Sequence, residues 1–348
     1  MSRNCEPMPD QSMAASFTEV RELLTRLPGP DEGAGSAARS RQAELTKPPG
    51  SLGRLEDLAV WLARWQGRSP PSADHPRIAV FAGNHGVAAR GVSAYPAEVT
   101  KQMVRNFIAG GAAVNQLSAL ADADLKVFEM GLEKATADFT EAAAMSEAEC
   151  VHALAYGMTA VEDGIDILAL GEMGIANTTS AAALCLALFG GAASEWVGRG
   201  TGIDDRTHEH KTALVADAVR FHSDALDDPL EVLRRLGGLE LAAIAGAVIA
   251  ARMARTPVLL DGFACTAAAA VLAKIDPGLI DHCEVAHRSV EPGHTNLLQR
   301  LGKRPLLDLD MRLGEASGAA LAIAIVKAAV ACHRDMATFA EAGISTRT

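Results

Sequence analysis

Aromatic residues are scarce in this chain: two Tyr, three Trp and nine Phe make up 4% of 348 residues. The core must therefore come from Ala, Leu, Val and Ile, a composition that suits helices packed on a buried sheet. No apolar run approaches the ~20 residues that a membrane-spanning helix needs. The two most apolar stretches, 241–251 and 316–326, are closed by Arg252 and Lys327 and read as buried helices. Residues 1–20 place Arg3, Glu6, Asp10 and Glu19 among prolines, without the apolar segment of a secretory signal, so a cytoplasmic protein is expected. A basic excess is absent too: the formal charge is -11. That argues against nucleic acid or an anionic membrane as a partner, and any phosphate site must be local. The six cysteines (Cys5, Cys150, Cys185, Cys265, Cys283 and Cys332) include no C-x-x-C pair and read as buried, reduced thiols.

What is present has two textures. Up to about residue 72 the pattern is helical, over 17–27, 37–45 and 52–66, with Leu55, Leu58, Ala59 and Leu62 at helical spacing and Ser51 placed to cap the third helix. The Pro- and Ser-rich run 67–76 reads as a linker. Beyond it, short aliphatic runs (78–82, 125–130, 165–170, 257–260 and, more weakly, 279–285 and 306–309) alternate with helical stretches such as 98–108, 146–162, 180–189, 207–225 and 239–253. Such alternation predicts βαβ units: an α/β fold with a mostly parallel, Rossmann-like sheet flanked by helices. The C-terminal helix, 314–332, is expected to return to the N-terminal helices. The expected division is a small helical domain from 1–75 with 316–348, and an α/β catalytic domain over 76–315.

The chemistry gathers just after the expected strands: Gly83-Asn84-His85-Gly86, Gly131, Gly171-Glu172-Met173-Gly174, Asp261-Gly262-Phe263 and His287-Arg288-Ser289. Ligands bind outside the carboxyl ends of parallel strands, so one site built from several loops is expected. In the run from Gly171 to Ser180, Asn177-Thr178-Thr179-Ser180 is expected to cap a helix whose N-terminus can hold an anion, with Glu172 suited to a ribose hydroxyl or a cationic ring. Gly198-Arg199-Gly200-Thr201-Gly202 fails the G-x-G-x-x-G spacing and lacks the Gly-Lys-Ser/Thr of a P-loop. It remains a nest of amides followed by Lys211, able to hold one phosphate monoester. Arg312 and Glu315 stand at the opening of an apolar helix, where the carboxylate is either a solvated N-terminal acid or a desolvated general base. The histidines 208, 210, 282, 287 and 294 show no convincing metal-ligand spacing, and no metal or cofactor is expected.

Six segments in order carry a resemblance over nearly the whole chain: K-P-P-G-S-L-G-R-L-E (47–56), A-G-N-H-G-V (82–87), G-E-M-G-I-A-N-T-T (171–179), V-G-R-G-T-G (197–202), L-L-D-G-F (259–263) and M-R-L-G-E-A-S-G-A-A-L-A (311–322). Together they resemble the nicotinate-nucleotide:dimethylbenzimidazole phosphoribosyltransferase family. The resemblance implies small-molecule substrates, nicotinate mononucleotide and a benzimidazole-type base, and a homodimer. It implies Glu315 as the catalytic base, with the phosphate held near Gly174, Gly200, Lys211 and Ser289. Glu172, Asn177, Thr178, Asp261 and Arg312 would line the ribose and nicotinate side, and His85, Tyr95, Gln102, Met103 and Leu313 the base pocket. Two positions depart from the family pattern: Tyr95 stands for a serine and Met103 for a glutamine. Gln102 is adjacent to the latter, but one residue along a helix turns a side chain by about 100°. The identity of the accepted base stays open. So do two other readings, a non-catalytic mononucleotide- or ribazole-binding protein of the same fold and a metal-dependent hydrolase built on the histidine loops.

Overall fold

Aliphatic runs that are apolar at every position form strands buried on both faces. In β2 (Pro76–Ala82), Ile78, Val80 and Ala82 enter one core cluster, while Ala79 and Phe81 enter the cluster on the other face. The computed structural model of the chain describes residues 5–7 and 16–345. Its sheet comprises β1 (Cys5–Pro7), β2, β3 (Asp124–Glu129), β4 (Ile167–Met173), β5 (Val258–Leu260) and β6 (Cys283–Val285), all parallel, in the order β1-β3-β2-β4-β5-β6. From β2 the chain crosses to β3 on one side, and from β4 it proceeds to β5 on the other. The β2/β4 pair is thus a topological switch point, where a crevice opens at the carboxyl ends. Its register brings Ala82 level with Met173, so the loops from Gly83 and Gly174 emerge side by side.

The α/β reading of the sequence holds, with corrections at the edges. The run 306–309 is not a strand: it follows Pro305 and adds only an isolated bridge, His287 to Leu307. The run 279–285 divides into a 3-10 turn, Pro277–Ile280, capped by Asp276, and the short β6. Ser51 caps nothing; Gly53, at φ +53°, precedes the helix Arg54–Gln66, and the Leu52 N–H donates to Glu56 Oε1. The 67–76 run is tied to the sheet, its backbone N–H groups at Asp74 and His75 donating to the buried Asp166 carboxylate.

Helices Glu147–Met158 and Leu239–Met253 touch backbone to backbone. A Cβ on Gly157 would lie 1.9 Å from Ala243 O, and one on Gly246 1.9 Å from Leu154 O. The C-terminal helix, Ser317–Asp335, contributes Ala319, Ile323 and Val326 to the cluster that holds Ile78 and Trp65. It is apolar and long enough to cross a membrane, but 56% of it is buried inside the protein, as a core helix would be. Arg41, from the N-terminal helix Glu32–Glu44, closes its far end by donating to the His333, Arg334 and Met336 carbonyls. Cys150, Cys185, Cys265 and Cys283 are free and buried, and Cys332 is free and half-buried. The Cys5 side chain, the ends of the expected helical unit and most of the stretch read for a signal lie outside the described residues.

Candidate active site

Loops at the carboxyl end of the sheet, among them the four described below, close around a cavity of about 550 Å³ with the segment 92–103 and residues 262–264. Glu172 stands at the carboxyl end of β4, and the loop after the strand passes through Gly174, where a Cβ would lie 2.7 Å from Gly83 O. It then enters the helix Asn177–Phe189. The expected cap is overturned here. The N-cap is Ala176, left-handed at φ +75° and without a side-chain bond, because the chain turns on backbone bonds such as Asn177 N–H to Gly174 O. Asn177 instead donates to the Glu172 carboxylate, while Thr179 and Ser180 turn inward and are buried.

The glycine-rich loop 198–202 folds over the first turn of that helix. Lys211, from the helix Asp205–Phe221, is only 1% exposed. Its ammonium donates to Thr178 Oγ1 (2.9 Å) and to Gly198 O (3.1 Å), and burial lowers it to about 8, partly offset by the charge of Glu291. After β6 the chain is extended, so His287, Ser289 and Glu291 face the cavity as alternate residues. Thr201 Oγ1 accepts from the Ala94 N–H and links the glycine loop to the segment bearing Tyr95.

The fourth loop carries Glu315, and its geometry is unusual. Glu315 and Ala316 both sit at φ +61°. Neither residue gains anything from the left-handed region, which costs about 1 kcal/mol or more apiece. Tertiary contacts hold the turn: Glu315 N–H donates to Glu172 O (3.1 Å), and Gly171 leaves room that a Cβ would fill, 2.2 Å from Ala316 N. Glu315 is 4% exposed, and its carboxylate faces the cavity without a protein hydrogen-bond partner among the described residues. It is not the solvated helix-terminal acid that was one reading of the sequence, because the helix begins at Ser317. Asp261 takes that place, accepting from Ala319 N–H (2.9 Å) at the helix N-terminus.

Burial sets the protonation states here. It raises Glu315 to about 7, helped by the nearby charge of Asp261. Glu172 is raised to about 8 by burial and by Asp261, Glu240 and Glu315, against the pull of Asn177. Burial lifts Asp261 to about 6, restrained by His287 and by the helix amides. At neutral pH the cavity thus holds an ionised Asp261 behind its wall, a mostly protonated Glu172 and a Glu315 near its midpoint.

Of the residues singled out from the sequence, Gly174, Gly200, Lys211, Ser289, Glu172, Asn177, Thr178, Arg312, Tyr95, Met103, Leu313 and Glu315 line this one cavity. Three do not. Asp261 is turned into the helix N-terminus. His85 lies beneath Gly174, its Nε2 2.6 Å from Glu240 Oε1 and its Nδ1 3.0 Å from Ser180 Oγ. Gln102 faces a separate depression with Lys101 and Arg105, as the turn of a helix between adjacent residues requires. Sequence reasoning missed Glu291 as a wall residue, and it named Thr201 and Phe263 only as members of their loops. The two-residue period from Ser289 was the available signal for Glu291. Among the described residues no three His, Cys, Asp or Glu side chains converge as a metal site. His282 and His294 are buried and pushed down to about 3 by that burial.

A phosphoribosyltransferase family model matches residues 27–344. The chain is 57% identical over 329 residues to the nicotinate-nucleotide–dimethylbenzimidazole phosphoribosyltransferase of Rhizobium etli (strain CIAT 652), covering 94% of this chain and 97% of that protein. It is 56% identical over 331 residues to the protein of the same name from Rhizobium meliloti (strain 1021), covering 95% and 98%. The crystal structure of CobT from Thermus thermophilus superposes with a TM-score of 0.84 at 42% identity, over 90% of this chain and 100% of that one. Six ordered motifs, a parallel sheet with a switch-point cavity and these matches lead to one assignment: the chain belongs to the nicotinate-nucleotide:dimethylbenzimidazole phosphoribosyltransferase family.

Proposed function

We propose that this chain is a pentosyltransferase that moves the ribosyl phosphate of nicotinate mononucleotide onto 5,6-dimethylbenzimidazole or a related base. The products are α-ribazole 5′-phosphate and nicotinate, and Glu315 is the general base. The observation that carries this reading is the Glu315 carboxylate: cavity-facing, without a protein partner among the described residues, raised to about 7 and held on a strained turn. A protein that merely bound the nucleotide would gain nothing from that strain.

The leaving group needs no acid. Nicotinate departs from the anomeric carbon as a pyridine nitrogen, taking the electron pair of the broken C–N bond and losing the pyridinium charge. A ring nitrogen of the benzimidazole forms the new C–N bond, and positive charge spreads to its second nitrogen, whose proton becomes acidic. Glu315 accepts that proton, a contribution of roughly 10²–10⁴-fold by general-base precedent. Lys211, the amides near Gly174 and Gly200, and Ser289 hold the phosphate; Glu172, protonated at neutral pH, can donate to a sugar or nicotinate oxygen alongside Asn177, Thr178 and Arg312. Fixing both partners in line supplies much of the remaining acceleration. No pyrophosphate leaves, so the mechanism calls on no magnesium ion.

The same proposal has the enzyme working in the cytoplasm as a homodimer. The exposed Tyr95 and Leu313 at the cavity mouth are apolar surface that a second copy would cover. Incubating the protein with nicotinate mononucleotide and dimethylbenzimidazole should release nicotinate in step with a new nucleotide, resolved by chromatography. No release with dimethylbenzimidazole or with other benzimidazoles would contradict the activity.

A further inference from the structure

The amide that the proposal above gives to the substrate phosphate is already taken in the free chain. Gly200 N–H donates to Glu291 Oε1 at 2.8 Å. Glu291 is 5% exposed, and its second oxygen, Oε2, is buried with no hydrogen-bond partner. It occupies a slot that exists because residue 198 is glycine: a Cβ there would lie 2.0 Å from Oε2. Glu291 stands on the cavity wall with Lys211, Ser289 and Gly200, and its charge acts on the Lys211 ammonium.

Such an arrangement is costly for the fold. An orphaned, buried carboxylate oxygen destabilises, and it calls for an explanation. Helix capping does not provide one, because Glu291 precedes the helix Pro292–Leu301 without a side-chain bond to it. Nor does a salt bridge, since the Lys211 ammonium donates to Thr178 and Gly198.

We propose that Glu291 is a specificity-determining residue for the phosphate end of the pocket, a carboxylate that fills the anion site of the free enzyme and repels any anion that would replace it. The inference rests on the phosphate reading given above. The Glu291 charge cancels much of the attraction that Lys211 would offer, so an arriving dianion meets the repulsion of the carboxylate with little net gain and must also displace the Gly200 hydrogen bond. That penalty is the same for every anion. Inorganic phosphate or sulfate brings nothing to offset it, whereas a mononucleotide brings ribose and pyridinium contacts along the Glu172 and Arg312 side of the cavity. Free anions are excluded and the tethered phosphate is admitted, which is discrimination by a built-in repulsive element.

The test uses the full chain and three proteins: wild type, Glu291→Gln and Lys211→Ala. The glutamine keeps the volume and the acceptor for Gly200 but removes the charge. Inhibition by inorganic phosphate and by sulfate, competitive against nicotinate mononucleotide, is measured on wild type and E291Q, and calorimetric binding of inorganic phosphate on all three. In E291Q both anions should bind roughly tenfold more tightly, the size expected for removing one partly screened unit charge. Unchanged or weaker anion binding in E291Q, with K211A weakening it, would overturn the filter and leave the phosphate reading standing. Anion binding unaffected by K211A would sink the phosphate reading itself. Should E291Q fail to fold, the wild-type Gly200 amide resonance decides: titration with nicotinate mononucleotide should shift it as carboxylate gives way to phosphate. A static resonance in a saturated sample refutes the exchange.

Discussion

Replacing Glu315 by glutamine separates the two consequences of burying that carboxylate. Its ordinary value of 4.5 rises to about 7 in the folded chain. An acid raised in this way binds protons in the folded state that the unfolded chain has already lost between pH 4.5 and 7. Stability from this group therefore falls as pH rises through that window. Above pH 7 the ionised carboxylate costs the fold about 3 kcal/mol, since each tenfold change in proton affinity is worth about 1.36 kcal/mol. E315Q has nothing to ionise, so it should match wild type near pH 4.5 and unfold at higher temperature than wild type near pH 8. Activity moves oppositely. Wild-type kcat/KM for the base should fall as pH drops below about 7, where Glu315 becomes protonated in the free enzyme. E315Q should lose roughly 10²–10⁴ in kcat and, with it, that acid limb. Thermal unfolding by circular dichroism at both pH values and nicotinate release at saturating and at limiting base concentrations supply the two readouts. Turnover in E315Q within a fewfold of wild type, or an acid limb that survives the substitution, would refute the reasoning.

Lys211→Ala should raise KM for nicotinate mononucleotide much more than KM for the base, as steady-state kinetics with each substrate varied will reveal; equal effects would contradict a phosphate role for this buried ammonium. Asp261→Asn removes the negative charge that helps to raise Glu315, so the acid limb of kcat/KM for the base should move to lower pH, and a limb that stays or moves upward would show that Asp261 does not set the basicity of Glu315. Because asparagine keeps an oxygen that can accept from Ala319 N–H and removes an acid that burial raises to about 6, the same variant should unfold at no lower temperature than wild type near pH 8.

How far the sequence reveals the site depends on whether a feature is local. The runs 78–82 and 257–260 are apolar at every position because both faces of a parallel sheet are covered, and together with 125–130 and 165–170, which carry Lys126, Glu129 and Asp166 among apolar residues, they read correctly as strands. The clusters behind them follow from chain direction alone, which is why twelve of the expected side chains or backbones line one cavity. Non-local features are different. Cys5–Pro7 becomes a strand only because β3 offers it an edge, and nothing in three residues announces that. The left-handed pair at Glu315 and Ala316 is invisible in residue type, since neither residue favours that region; the glycine at 171 that makes room for it lies far away in the chain. The burial of Lys211 is likewise a property of the folded glycine loop, because lysine in a helical pattern reads as surface.

The central claim is that one cavity holds the ribosyl phosphate at Lys211, Gly200 and Ser289 while Glu315 meets the incoming heterocycle. A crystal structure of the inactive E315Q variant with nicotinate mononucleotide and dimethylbenzimidazole tests it most directly. The phosphate should lie within hydrogen-bond distance of Lys211 Nζ and the Gly200 amide, with the benzimidazole N–H facing the side chain at position 315. A phosphate bound elsewhere, or a heterocycle whose N–H points away from that side chain in every subunit, would contradict it.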